Sequence, residues 1–286
     1  MEDLDKEIRN KIEFTFADDD AERHPALDIP PEYELYVTAI DDGRALVNVD
    51  FAIADKAPIP ELHWLMGIQV EFLNPDVDGF YTEEEEERIL EIQEYVIKVM
   101  NEEARARFVG SVTYAGTRMF YFYGPDVEYI APLVGKISSE FNDYDFNYMS
   151  DNDGQWSFFF NAIYPTELDM AHIRNRYMVQ NLKESGVDLN HEYSIYYYFY
   201  FQDGASRVQA AATLTRLGFE VVDDHMYVEE LEPMSLGLKM KAKHDLNLMT
   251  LTEKTYECFE TMEEHIGVYD GWELAPLEDV DTDAWI

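Results

Sequence analysis

From Tyr33 the chain alternates apolar and polar positions through YELYVTAI, breaks at the turn Asp41 to Gly43, and resumes in RALVNVDFAIA. A period of two is that of a half-buried strand, so the pattern predicts a hairpin over 33–54. LHWLMGIQVEF, closing at Phe72 ahead of Asn74-Pro75, predicts a third strand. The period then changes. Thr82 stands as an N-cap before five glutamates, and ERILEIQEYVIKVMNEEARAR places Ile89, Ile92, Val96, Val99 and Met100 on one helical face. Glu83 to Glu87 in the first turn and Arg105 and Arg107 near the end suit the helix dipole. The acidic run therefore reads as a solvated helix end.

RFVGSVTYAG and TRMFYFYG predict two strands meeting at Ala115-Gly116, and DVEYIAPLVGKISSEF predicts a helix. DYDFNYM and QWSFFFNAIYP predict two aromatic strands around the turn DNDG. After Pro165 the pattern restarts. A helix runs from about Leu168 to Ser185 with Gly186 as its stop, EYSIYYYFYF is a strand, and DGASRVQAAATLTRLG is a helix. FEVVDDHMYVEE and LGLKMKAKH form a strand pair, 247–266 is a third helix, and YDGWEL is a last short strand. Strands and helices alternating in this order predict an α+β chain of two α/β sandwich domains with mainly antiparallel sheets.

At 286 residues, two domains are the natural division: a lead-in over 1–30, domains over 31–165 and 166–276, and an acidic tail over 277–286. DLDKEIRNKIEF within the lead-in can form a short helix. Sixty acidic against 21 basic residues give a net charge of -39, which repels phosphate backbones and anionic lipid surfaces. Residues 166–286 carry 9 basic and 24 acidic residues, or -15, so both halves are acidic. Direct nucleic-acid and membrane binding are thereby disfavoured. Cys258 has no second cysteine to pair with, MEDLDKEIRN has no basic start leading into an apolar core, and no apolar stretch approaches the ~20 residues that span a bilayer. The expectation is a cytoplasmic, reduced location.

The passages NRYMVQNLKESGVDLNHEYSIYYYFYF, AAATLTRLGFEV and YDGWE, spanning about 170–275, resemble the bacterial regulator of ribonuclease E activity B family. The first half, through HWLMGIQVEF and VGSVTYAGTRMFYFY, is similar to a bacterial domain of unknown function found fused to such regulators. The resemblance implies a small ferredoxin-like domain that inhibits ribonuclease E by binding it, with no catalytic motif.

No HExxH, CxxC, GxSxG, P-loop or GxGxxG stands in the chain, so no catalytic, cofactor-binding or metal-ligating residue is assigned. Asp151-Asn152-Asp153-Gly154 begins like a calcium loop, but its twelfth position is Ala162, and a turn is the plainer reading. Asp223-Asp224-His225 alternates between strand faces, and Cys258 reads as core. Lys239, Lys241 and Lys243 share one strand face, either as edge protection or as a small anion-facing patch. The run Tyr196-Tyr197-Tyr198 must set rings on both faces. Tyr196 and Tyr198 of that run, with Tyr269, Asp270, Trp272 and Glu273 of the motif that carries the resemblance, are the candidate partner-binding residues. The expected function is a non-catalytic acidic regulator that binds and inhibits a ribonuclease E-like enzyme by its basic region. A binding module for an unrelated protein or small ligand, and a metal-dependent enzyme whose site assembles from distant carboxylates, stay open beside it. No oligomeric state is implied.

Overall fold

The structure, a computed structural model, describes residues 24–41 and 43–276. The expected lead-in helix and acidic tail lie outside the described residues. The chain divides into two compact units between Pro165 and Thr166.

The first unit contains β1 (Tyr33–Ile40), β2 (Gly43–Asp50), β3 (Trp64–Glu71), α1 (Glu83–Glu103), β4 (Arg107–Tyr114), β5 (Thr117–Gly124), α2 (Ile130–Glu140) and β6 (Phe146–Asn152). Its sheet runs β1-β2-β4-β5-β3-β6, with each pair antiparallel. From β3 onward the order is strand, helix, two strands, helix, strand, and β4-β5-β3-β6 is the ferredoxin-like arrangement. The β1–β2 hairpin extends it past β4. The Ala115-Gly116 turn has positive φ at both residues (50° and 82°), as a primed two-residue hairpin turn requires. On one sheet face Ile89, Ile92, Val96, Val99 and Met100 of α1 all bury against Ile68, Phe120 and Phe122. At roughly 1.5–3 kcal/mol for each large apolar side chain, that stripe outweighs the weak propensity of its β-branched residues.

Four local expectations are corrected. β2 ends at Asp50, whose carboxylate accepts from the Ala52 amide and turns 51–54 into one helical turn. Thr82 has N-cap geometry but makes no side-chain cap bond. Of the glutamate run, Glu85 is buried and accepts from the backbone amides of Leu73 (2.8 Å) and Asn74 (3.3 Å), tying the helix start to the loop after β3. Arg107 lies beyond α1 as the first residue of β4, buried against Asp50 and donating to the Ile29 carbonyl.

The largest difference falls at 155–165, expected as a strand. There the chain is helical, ending in a π-helical turn (Phe159–Ile163). Asp153 caps it by accepting from the amides of Ser157 and Phe158, both at 2.8 Å. Trp156, Phe159 and Ile163 are spaced as a helix spaces one face, and all three are fully buried. Trp156 stacks on Tyr123 at 4.0 Å and donates its indole N–H to the Leu62 carbonyl. The three consecutive phenylalanines conceal this period.

The second unit contains α3 (Glu167–Glu184), β7 (Tyr193–Phe201), α4 (Gly204–Arg216), β8 (Glu220–Asp223), β9 (Leu236–His244), α5 (Leu248–His265) and β10 (Gly267–Leu274). Its sheet order β10-β7-β9-β8, antiparallel throughout, is again ferredoxin-like, with α3 added in front. Thr166 and Asp169 form a reciprocal capping box at α3. Ile195, Tyr197, Phe199 and Phe201 face inward against Leu214, Cys258 and Met262. The expected strand over 219–230 is only β8, four residues long and exposed throughout. No described helix is long and apolar enough to cross a membrane.

Candidate partner-binding site

Strand alternation leaves Tyr196, Tyr198 and Tyr200 on the face of β7 opposite Tyr197, Phe199 and Phe201. β9 pairs with both β7 and β8, so Lys239 and Lys241 lie on an interior strand and the edge-protection reading fails. They are engaged on that face. The Lys239 ammonium sits 3.6 Å from the Tyr196 ring centroid and 5.1 Å from that of Tyr198, and 3.8 Å from Glu273. Lys241 pairs with Glu220 at 3.3 Å, while Lys243 is exposed.

β10 is an edge strand with a bulge at Asp270. Tyr269 lies opposite Phe199, whereas Gly271 lies opposite Tyr198, leaving Asp270 as the extra residue. Gly271 has φ of 134°, a conformation that disfavours side chains with a Cβ. In a regular strand, residues 269 and 272 would point to opposite faces. The bulge turns both inward, with Trp272 opposite Tyr197. The Trp272 indole N–H donates to Asn175 Oδ1 at 2.8 Å, and Asn175 Nδ2 donates to Thr255 Oγ1 at 2.8 Å. This chain of bonds ties the edge strand to α3 and α5.

Between α3 and the bulge lies a cleft of about 390 Å³. Arg174, Asn175 and Met178 line its helix side, and Tyr198, Tyr200 and the 269–273 segment its sheet side. Five of the six residues expected from sequence thus converge. Tyr196 is apart, buried beneath Lys239. Arg174, Asn175 and Met178 carried no distinguishing signal, although all three stand in or beside the NRYM passage.

Charge and burial set the hydroxyls of the cleft. Tyr198 donates to Glu273, and its pKa is raised by burial first and by that carboxylate second. Burial and the nearby Asp270 charge raise Tyr200. Tyr269 is raised by burial above all, with Asp270 and Arg174 acting in opposite directions. All three therefore stand as neutral phenols at neutral pH. Deeper in the core, Tyr197 OH and His244 Nε2 are 2.7 Å apart, and burial lowers the His244 pKa and raises that of Cys258.

The other candidate groups sit elsewhere. Asp153 is the helix cap described above rather than part of a hairpin turn. Asp223 accepts from the His225 amide in an exposed turn. Among the described residues, no group of three or more His, Cys, Asp or Glu side chains is placed to hold a metal ion.

Fold and cleft define a class: two α+β units of ferredoxin-like topology, the second presenting an aromatic, acid-rimmed cleft at its sheet edge. Residues 172–274 match the family Regulator of ribonuclease activity B, and residues 32–164 match the Family of unknown function (DUF695). The two matches fall on separate units of the chain. No curated protein matches it. Among solved structures, "an Unknown Protein from Galdieria sulphuraria" is 9% identical with a TM-score of 0.20, over 74% of this chain and 98% of that one. A "putative glycine cleavage system transcriptional repressor" is 12% identical with a TM-score of 0.20, over 74% and 96%. At those scores neither bears on function.

Proposed function

We propose that this protein is a non-catalytic, cytoplasmic regulator that binds and inhibits an RNA-processing enzyme of the ribonuclease E type, engaging it through the second unit. The match of residues 172–274 to a regulator of ribonuclease activity carries the reading. Electrostatics supports it independently. A chain of net charge -39 is repelled by RNA and steered toward the cationic surfaces with which a nuclease meets RNA. The five converging residues of the cleft supply what charge alone does not, a concave aromatic anchor point.

The test is cleavage of a defined single-stranded RNA by ribonuclease E with increasing amounts of the full chain. Inhibition is expected at low salt, weakening as the Debye length shortens from roughly 10 Å at 0.1 M to 3 Å at 1 M. Unchanged cleavage together with no capture of the nuclease at low salt refutes the proposal.

A further inference from the structure

The cleft between α3 and β10 is chemically lopsided. Its sheet side offers two carboxylates, Asp270 and Glu273, set among Tyr198, Tyr200 and the half-buried Trp272, and its helix side offers one exposed cation, Arg174. Asp270 is exposed and, among the described residues, in no ion pair. Tyr269, only 7% exposed, sets its buried hydroxyl beside that of Thr255, which accepts from Asn175 and keeps its own O–H to donate. The same sheet already accommodates a cation: Lys239 rests on the Tyr196 ring within reach of Glu273.

We infer that the cleft is an anchor site for an arginine side chain of the protein partner. This rests on the reading that the partner is a basic protein. A guanidinium matches the lining group by group. Its planar face stacks on tyrosine, and its paired N–H donors meet a carboxylate side-on. A lysine ammonium is more strongly hydrated and has no planar face, so it fills fewer of these roles. The nearest carboxylates favour an incoming cation: Glu273 acts on Tyr198 and Asp270 on Tyr200, each raising the phenol pKa. Residues 166–286, at 9 basic against 24 acidic, extend that field well beyond the cleft. Arg174 at the opposite rim opposes the incoming charge and confines it to the Asp270 side.

The experiment titrates the isotope-labelled full chain with acetyl-Gly-Arg-Gly-amide and with its citrulline counterpart, which keeps the shape and loses the charge. The arginine peptide is expected to produce saturable shifts at the Gly271 amide and the Trp272 indole, and the citrulline peptide none. Asp270→Asn with Glu273→Gln, conservative changes at two exposed positions, is expected to weaken the arginine response at least about tenfold while the remaining spectrum shows the fold intact. No shift, equal shifts with both peptides, or shifts indifferent to the double substitution overturns the inference. Nuclease capture separates this from the broader proposal. If wild type and double variant capture ribonuclease E equally, the arginine site falls and the regulatory function stands. If neither captures it yet the arginine response is intact, the regulatory function falls and the arginine site stands.

Discussion

Replacing Asn175 with alanine tests whether one amide holds the cleft in shape. Asn175 is 4% exposed and bridges Trp272 of β10 to Thr255 of α5 through two hydrogen bonds of 2.8 Å. Each such bond contributes about 1 kcal/mol net, and a buried polar group stripped of its partner costs about 1–3 kcal/mol more. That larger cost falls on Thr255, which is fully buried, rather than on the Trp272 indole, which is half-buried and can turn to water. The sum is about 3–5 kcal/mol from the second unit, a large share of the 5–15 kcal/mol typical of a whole domain. Urea titration of the full chain, followed through the Trp272 indole resonance, reads both stability and site geometry. The resonance should move in the folded variant, and Asn175→Leu, which restores bulk without hydrogen bonding, should recover little. A loss below about 0.5 kcal/mol, or full recovery by leucine, refutes the account and makes packing the stabilising term.

In the first unit, Asp50→Ala leaves the buried Arg107 guanidinium unpaired and is expected to cost about 3–5 kcal/mol by urea unfolding, with Asp50→Leu/Arg107→Met milder than the single change. Burial lowers the pKa values of both His172 and His244, so below about pH 6.5 the unfolded chain binds more protons than the folded one. Their contribution is therefore present above that pH and is lost as pH falls through it. The urea midpoint of the second unit should drop more steeply between pH 7 and 5 in wild type than in His172→Gln/His244→Gln, and parallel slopes would contradict this. Cys258 is fully buried with a raised thiol pKa, so a thiol reagent should label it in urea and not in the native protein, as peptide mapping can show.

Much of both folds was legible because their core elements carry clean periods. The α1 stripe and the alternation of β7 state which side chains go inward whatever they meet there. Where a run is uniformly apolar, as at Phe158 to Phe160, the period vanishes, and capping by Asp153 decides in favour of a helix. Glu85 and Arg107 looked like ordinary helix-end charges. Their burial depends on loops that bring backbone amides and Asp50 against them, and no local pattern encodes that.

Charge and hydrophobic period are local properties, so the acidity of both halves, the two α+β patterns and the 269–273 segment as a place of interest could be read from the chain alone. Long-range strand pairing made β9 interior and set the bulge at Asp270 that turns Tyr269 and Trp272 to one side. Tertiary packing also brings in Asn175, nearly a hundred residues earlier, to close the cleft around them. Which carboxylate faces which ring follows from register and helix docking, and those depend on residues far apart in the chain.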